Sequence, residues 1–321
     1  MDIRFDGQVV VVTGAGNGMG RAYALELARR GATVVVDDPG VATDGTGGGR
    51  RAADHVVDEI TRAGGAAIAS YASVADDDGC RELAATALAL TGRIDAVIHN
   101  AGILRNAPFL EMTDERWFPV QATHLLGAFF LSRAVWPSMV AAGYGRMVFT
   151  SSASGAWGRV QGANYGAAKA GILGLCNVLA LEGEEHGILC NAILPIGSTR
   201  LGGAPDASDT SAEAEAARAA ALENRSSPEW VVPMVTYLAS SACDRTHRSY
   251  SAVRGRYAEV FTSVADGWVA PAGPPPPAEE LVARLDVIED RSWATVPRDT
   301  FAEAALASRL VDEHLGTSAG G

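Results

Sequence analysis

The chain has 321 residues, 48% of them hydrophobic and 20% charged, enough for one large α/β domain with additions and ordinary for a globular protein. A net charge of -12 with no basic cluster argues against nucleic acid or an anionic membrane surface as a partner. The four cysteines (Cys80, Cys176, Cys190, Cys243) and six histidines show no ligand spacing, so neither a metal site nor a disulfide framework is expected. The start has no signal-peptide shape, and apolar runs are strand-length or interrupted by charge, so the expectation is a cytoplasmic chain without a membrane span.

In chain order, Gln8–Thr13 is a β-branched run suited to a strand buried on both faces. Gly14-Ala15-Gly16-Asn17-Gly18-Met19-Gly20 follows, then a helix over Arg21–Arg30. A strand, a glycine-rich turn and a helix start form the first unit of a dinucleotide-binding fold. There, backbone N–H groups and the helix dipole hold a pyrophosphate. The next strand, Thr33–Val36, ends at Asp37-Asp38. An acid here accepts both ribose hydroxyls of NAD and repels the extra phosphate of NADP, so NAD is the expected cofactor, with Asp38 the first choice and Asp37 the second.

A glycine-rich loop, Pro39–Gly49, leads to a helix over Arg51–Ala63. Ala66–Ser70 reads as a strand, Asp76–Leu90 as a helix, and Ile94–His99 as a strand. Thr113 opens a long helix from Asp114 to about Ala142, with Pro137 placed to kink its last turns. Gly145–Thr150 is a fifth strand, Asn164–Gly183 a helix, and Ile188–Leu194 a sixth strand stopped by Pro195. The alternation predicts an α/β, doubly wound, Rossmann-type sheet, mostly parallel and seven-stranded, with helices on both faces. It would occupy residues 1–270. Residues 200–226 read either as a lid over substrate or as a solvated insertion. Ser227 and Pro228 open a helix through Leu238, and Ser249–Val253 and Arg256–Phe261 have strand character around Arg254-Gly255. Residues 271–321 form a proline-rich linker (Pro271–Pro277) and a helical extension (Glu279–Ile288, Thr300–Leu315), with a disordered end at Thr317–Gly321.

The helix over Asn164–Gly183 carries Tyr165 and Lys169, four apart and so on one face. A free tyrosine, with a pKa of about 10, is a poor base at neutral pH; a neighbouring ammonium favours its phenolate. With Ser152 to hold the oxygen that gains or loses a proton, the set reads as a proton-transfer device.

Taken together, the motifs resemble the short-chain dehydrogenase/reductase family over roughly residues 7 to 270. They are Thr13-Gly14-x-x-x-Gly18-x-Gly20, Asn100-Ala101-Gly102, Ser152 with Tyr165 and Lys169, and Pro195-Ile196-Gly197-Ser198-Thr199. The resemblance implies that Tyr165 is the general acid/base and that Lys169 holds the nicotinamide ribose. It implies that Asn100 steadies the sheet, that Ala101 and Gly102 line the cofactor, and that the loop from Pro195 through Gly197 to Thr199 meets the carboxamide. Ser73 and Val74 would contact adenine, but Ala72 precedes them where the family often has an acid. The family also implies a homodimer or homotetramer through the helices 114–142 and 164–183.

His124 stands where many members carry a catalytic asparagine that relays protons to the lysine; it either serves that relay or packs in the helix core. At His124, and around Ser152 and Tyr165, the chain is similar to the (3R)-hydroxyacyl-CoA dehydrogenases of multifunctional β-oxidation enzymes. The implied substrate is a 3-hydroxyacyl-CoA, with a hydroxysteroid as the alternative and a non-catalytic NAD-binding regulator as the reading from another class. Trp157 and Gln161 are the expected substrate contacts, and Arg105, Arg159 and Arg200 the candidates for a CoA phosphate. His99, before Asn-Ala-Gly, is expected to be structural. The chain is too short for the hydratase and carrier modules, so a stand-alone dehydrogenase is expected.

Overall fold

A computed structural model describes residues 2–202, 204–205 and 209–316, and the chain divides into two compact units, one ending at Val260 and the other beginning at Phe261. In the first unit β1 (Val9–Thr13), β2 (Thr33–Asp37), β3 (Ala66–Ser70), β4 (Ala96–His99), β5 (Gly145–Thr150), β6 (Ile188–Ile196) and β7 (Arg248–Val253) are parallel. β8 (Arg256–Val260) closes one edge antiparallel to β7, giving an eight-stranded sheet in the order β3-β2-β1-β4-β5-β6-β7-β8. The helices are α1 (Gly18–Arg29), α2 (Arg51–Arg62), α3 (Asp77–Thr91), α4 (Asp114–Gln121), α5 (Gly127–Ala142), α6 (Ala153–Trp157), α7 (Ala163–Gly183), α8 (Ala212–Glu223) and α9 (Val232–Ala239).

Alternation along the buried strands divides the core into two layers. Val10, Val12, Val34 and Val36 pack with Leu27 of α1, Ile60 of α2 and Leu238 of α9. Val9, Val11 and Val35 face the other way, against Leu83 of α3, Leu131 and Met139 of α5, and Ile172 of α7. The β-branched run is thus buried on both sides, each valine contributing roughly 1.5–2 kcal/mol of burial.

Several expectations change in detail. The sheet has eight strands because Arg254 (φ 52) and Gly255 (φ 81) both take left-handed backbone, making a two-residue hairpin turn that returns β8 along β7. β6 does not stop at Pro195 but runs through it to Ile196, with Pro195 paired opposite Ala252. The long helix is interrupted by a π-helical turn at Ala122–Leu126. The helix expected from Pro228 begins as a 3-10 turn, Pro228–Trp230, before α9. The rod Asp114–Ala142 is long and apolar enough to cross a membrane by length and composition, unlike the interrupted runs expected; here Leu131, Val135 and Met139 on it are buried in the core.

Within 200–226, Ser211 caps α8 by accepting from the Ala214 N–H at 3.2 Å, while residues 203 and 206–208 lie outside the described residues, as does the expected disordered end 317–321. In the second unit β9 (Val264–Ala265) pairs antiparallel with β10 (Ala294–Thr295), so residues ahead of the proline-rich segment already belong to it. The helix expected over 279–288 is two short ones, α10 (Ala278–Val282) and α11 (Leu285–Ile288); α12 (Thr300–Leu315) is capped by Asp299 accepting from Ala302 N at 2.8 Å.

Gly20 shows how tightly α1 sits on the loop before it. A Cβ there would lie 2.2 Å from the Gly14 carbonyl oxygen and 2.8 Å from Asn100 Nδ2, and backbone cannot yield as a side chain does. Gly20→Ala should therefore lose about 1–3 kcal/mol in urea unfolding, whereas Gly174→Ala, with nothing within 4 Å, should be neutral or slightly stabilising.

Candidate active site

The strand order reverses between β1 and β4, and crevices form at the carboxyl ends of strands at such a point. A cavity of about 480 Å³ opens there. Gly14, Asn17, Gly18 and Met19 line it; Gly16 and Gly20 do not, and act by allowing close packing behind the loop. The side chain of Asn17, the N-cap of α1, makes no capping hydrogen bond, so it does not satisfy the first-turn N–H groups of that helix.

The loop is held by a clamp across β1 and β4. Thr13 Oγ1 accepts from the backbone N–H of both Asn100 and Ala101 at 3.0 Å, and Asn100 Nδ2 donates to the carbonyls of Thr13 (3.0 Å) and Gly14 (3.3 Å). Gly14 (φ +62) is close enough to Ala101 that a Cβ would stand 2.8 Å from its Cα.

At the end of β2 both candidate acids line the cavity, in different states. Asp38 accepts from Gly16 N through Oδ2 and from Gly40 N through Oδ1, each at 2.8 Å, tying the glycine loop to the start of the following segment. Asp37 is fully buried and burial pushes its carboxyl up to about 7. Val41, Ala42, Thr43 and Gly45 cover this side of the cavity, fastened by Leu104 N to Thr43 O (2.8 Å) and by Arg105 Nε to Asp44 O (2.7 Å).

The opposite side carries the ionisable cluster. Lys169 and Tyr165 come from α7, and His124 from the π-helical turn. The His124 and Tyr165 rings meet edge to face at 5.1 Å between centroids, and Lys169 Nζ is 5.6 Å from the centroid of the Tyr165 ring. Lys169 Nζ donates to the Thr150 carbonyl, and burial lowers its pKa to about 7. The spacing in sequence predicts that Lys169 pulls the phenol down. In the structure burial raises the Tyr165 pKa, while the Ser152 hydroxyl and Arg159 oppose that rise.

Ser152 also caps α6, accepting from Ser154 N at 3.1 Å, and does not itself line the cavity. Gly155 lets α6 lie directly on α7, since a Cβ there would be 2.6 Å from the Lys169 carbonyl carbon. Burial holds the His124 imidazole well below its usual range and so neutral; Nε2 lies 2.9 Å from the Ile103 carbonyl oxygen and 3.2 Å from the Ile103 N–H, so the tautomer sets whether it donates to the one or accepts from the other, and buried Nδ1 has no partner among the described residues. His99, also neutral with a pKa near 4 from burial, donates from Nε2 to the His124 carbonyl at 3.0 Å, inside the π-helical turn.

The remaining expected residues divide. Ser73, Val74, Ala101, Gly102, Pro195, Gly197 and Thr199 line the same cavity, as do Arg105, Arg159 and Arg200. Trp157 is 67% exposed, and Gln161 (φ 64) offers its carbonyl to Ala107 N; neither lines the cavity. Asn164, adjacent to Tyr165, joins the site without a motif of its own. It is fully buried, donates from Nδ2 to the carbonyls of Arg105 (3.0 Å) and Arg116 (2.8 Å), and takes the Tyr165 N–H on Oδ1 at 2.7 Å. Its place directly before the tyrosine at a helix start was the available signal. Among the described residues no group of three or more His, Cys, Asp or Glu side chains could hold a metal ion.

Burying an ammonium of depressed pKa costs stability. The unfolded chain binds that proton up to its ordinary pKa near 10.5, and the folded chain releases it near 7, so the cost is full below 7 and vanishes as pH rises toward 10.5. Lys169→Met should thus be more stable than the parent at and below pH 7, by ~1–4 kcal/mol, with the gap closing at alkaline pH in denaturant titrations.

Residues 8–200 match the short chain dehydrogenase family. Over 242 residues the chain is 47% identical to peroxisomal multifunctional enzyme type 2 of Mus musculus, covering 75% of this chain but only 31% of that protein, so it spans about a third of that relative. A hydroxyacyl-CoA dehydrogenase of Mycobacterium tuberculosis is 43% identical over 253 residues, 74% of each chain. The crystal structure of a short chain dehydrogenase from Mycobacterium avium is similar with a TM-score of 0.75 and 36% identity, covering 90% of this chain and 98% of that one.

Proposed function

Because the chain belongs to the short-chain dehydrogenase/reductase family, whose members use NAD(P), we propose that it interconverts a 3-hydroxyacyl-CoA and its 3-oxo form with NAD as cofactor. It is an oxidoreductase acting on CH–OH groups. One observation carries the reading: a single cavity joins a glycine loop and ribose-side carboxylate at one end to Tyr165, Lys169 and His124 at the other. The relative named as a hydroxyacyl-CoA dehydrogenase supports the substrate class.

The residues present fit a dinucleotide. The glycine loop and the α1 N-terminus suit its pyrophosphate, and Asp38 already holds the loop that would carry it. Asp38 puts a carboxyl where a 2′-phosphate would need a cation, which supports NAD over NADP. When bound, the nicotinamide supplies the hydride acceptor or donor. The protein handles the proton. Tyr165, kept protonated by burial, is ready to donate from its hydroxyl to a substrate carbonyl oxygen; alcohol oxidation reverses that transfer, with the phenolate as base.

Ser152 hydrogen-bonds the Tyr165 oxygen and orients the substrate oxygen beside it. Lys169, with a pKa near the working range, resupplies the proton, and neutral His124, whose Nδ1 has no partner among the described residues, passes a proton to it through water. Arg105, Arg159 and Arg200 at the cavity offer charge to a CoA phosphate. Exposed Leu126, Phe129 and Val178 on the helices 114–142 and α7 support a homodimer or homotetramer contact there.

Tyr165→Phe should retain NADH binding by fluorescence titration and lose turnover by about a hundredfold or more; unchanged turnover removes Tyr165 as acid/base. In parallel assays NAD should give the higher kcat/KM than NADP. Arg159→Glu should raise KM for a 3-hydroxyacyl-CoA while leaving KM for a neutral steroid alcohol unmoved, and the opposite pattern favours a hydroxysteroid as substrate.

A further inference from the structure

We infer that Asp37 selects the base of the cofactor, its unpartnered carboxylate oxygen accepting a hydrogen bond from the exocyclic amine of adenine. The inference rests on the NAD reading above and adds a residue to it.

The layout of the sheet fixes which part of a dinucleotide reaches Asp37. The reacting ring must lie by Tyr165 and Lys169, on the β5 and α7 side, and the pyrophosphate at the glycine loop after β1. The adenosine half then extends the other way, over the ends of β2 and β3, where Asp37, Asp38, Ser73 and Val74 line the cavity.

Two neighbouring acids there do different work. Both oxygens of Asp38 are engaged by backbone N–H groups of the protein. Asp37 has 0% exposure; its Oδ1 accepts from the Ser70 hydroxyl at 2.8 Å, and its Oδ2 is buried with no partner among the described residues. A buried carboxylate oxygen without a donor costs free energy, and such groups persist where a ligand completes them. Burial, with Asp38 and then Glu82 adding repulsion, holds this carboxyl near 7, while Ser70 and the Ala72 backbone favour its ionised form. An incoming N–H donor relieves that cost; a phosphate adds to it.

The neighbouring side chains leave the acceptor role to Asp37. Ala72 is buried and has no polar side-chain atom, and Ser73 Oγ already accepts from Ala75 N at 3.2 Å. The group that suits this end of the cavity is therefore a neutral amine on a flat base rather than a second anion.

The test compares NADH with its reduced hypoxanthine analogue, in which the adenine amine is replaced by a carbonyl oxygen, by equilibrium fluorescence titration without substrate. The parent protein should bind NADH about tenfold tighter or more, the span expected of one hydrogen bond to a charged group. Asp37→Asn conserves volume. Since Oδ1 stays with the Ser70 hydroxyl, the amide nitrogen takes the place of Oδ2, and the preference should reverse toward the analogue. Asp37→Ala should bind both ligands alike.

Equal binding by the parent, or an unchanged preference in Asp37→Asn, overturns the assignment and leaves the dehydrogenase reading standing. If the parent binds neither ligand, the cofactor reading falls and the assignment with it. Should Asp37→Ala show no cooperative thermal transition, the parent and Asp37→Asn still decide the matter.

Discussion

The architecture of the site hangs on one reciprocal contact, the hydrogen-bonded pairing of Thr13 with Asn100 across the point where the sheet reverses direction. β1 and β4 must diverge there to open a crevice, and divergence leaves backbone groups at their ends without ladder partners. One hydroxyl takes two of those N–H groups, and one amide takes two carbonyls, including that of Gly14. The clamp thereby fixes the glycine loop and, through Gly102, the wall against which His124 packs; a Cβ at Gly102 would stand 2.3 Å from His124 Cε1. The glycine-loop end of the cavity and its His124 wall are tied to the same two residues.

Much of this was readable in the chain. The β-branched runs before Gly14 and Asp37 suit strands buried on both faces, and they form β1 and β2, with Gly14 just after the one and Asp37 at the end of the other lining the cavity. Tyr165 and Lys169 were legible because helical spacing alone puts them side by side. The bracing bonds of Asn164 and Arg105 are not, because they go to backbone carbonyls of distant segments, and a carbonyl has no sequence signature. Trp157, at the end of α6, and Gln161, whose carbonyl is bonded to Ala107 N, do not line the cavity. Pro195 reads as a strand stop since it lacks a donor, yet β6 continues because the loss is confined to one rung.

Burial, rather than pairing of opposite charges, governs the ionisable groups around the cavity. It raises Asp37 and Tyr165 and lowers Lys169, His99 and His124, in each case toward the neutral form. The contrast is with the surface, where Arg21 and Glu59 or Arg248 and Glu259 pair conventionally. The protein accepts an energetic cost in one region, and it is the region where neutral donors and acceptors near pH 7 are useful.

The π-helical turn at Ala122–Leu126 sets the phase between the two ends of one rod. An extra residue looped into a helix shifts everything before it by about 100° relative to everything after it. Deleting one residue there would leave the buried stripe of α5 in place on the sheet, yet would swing His124 or α4 out of phase with the cavity. The turn therefore works as an index mark between the core-packed half and the cavity-facing half of one rod. A one-residue change of length at this spot would re-aim His124 without repacking the core.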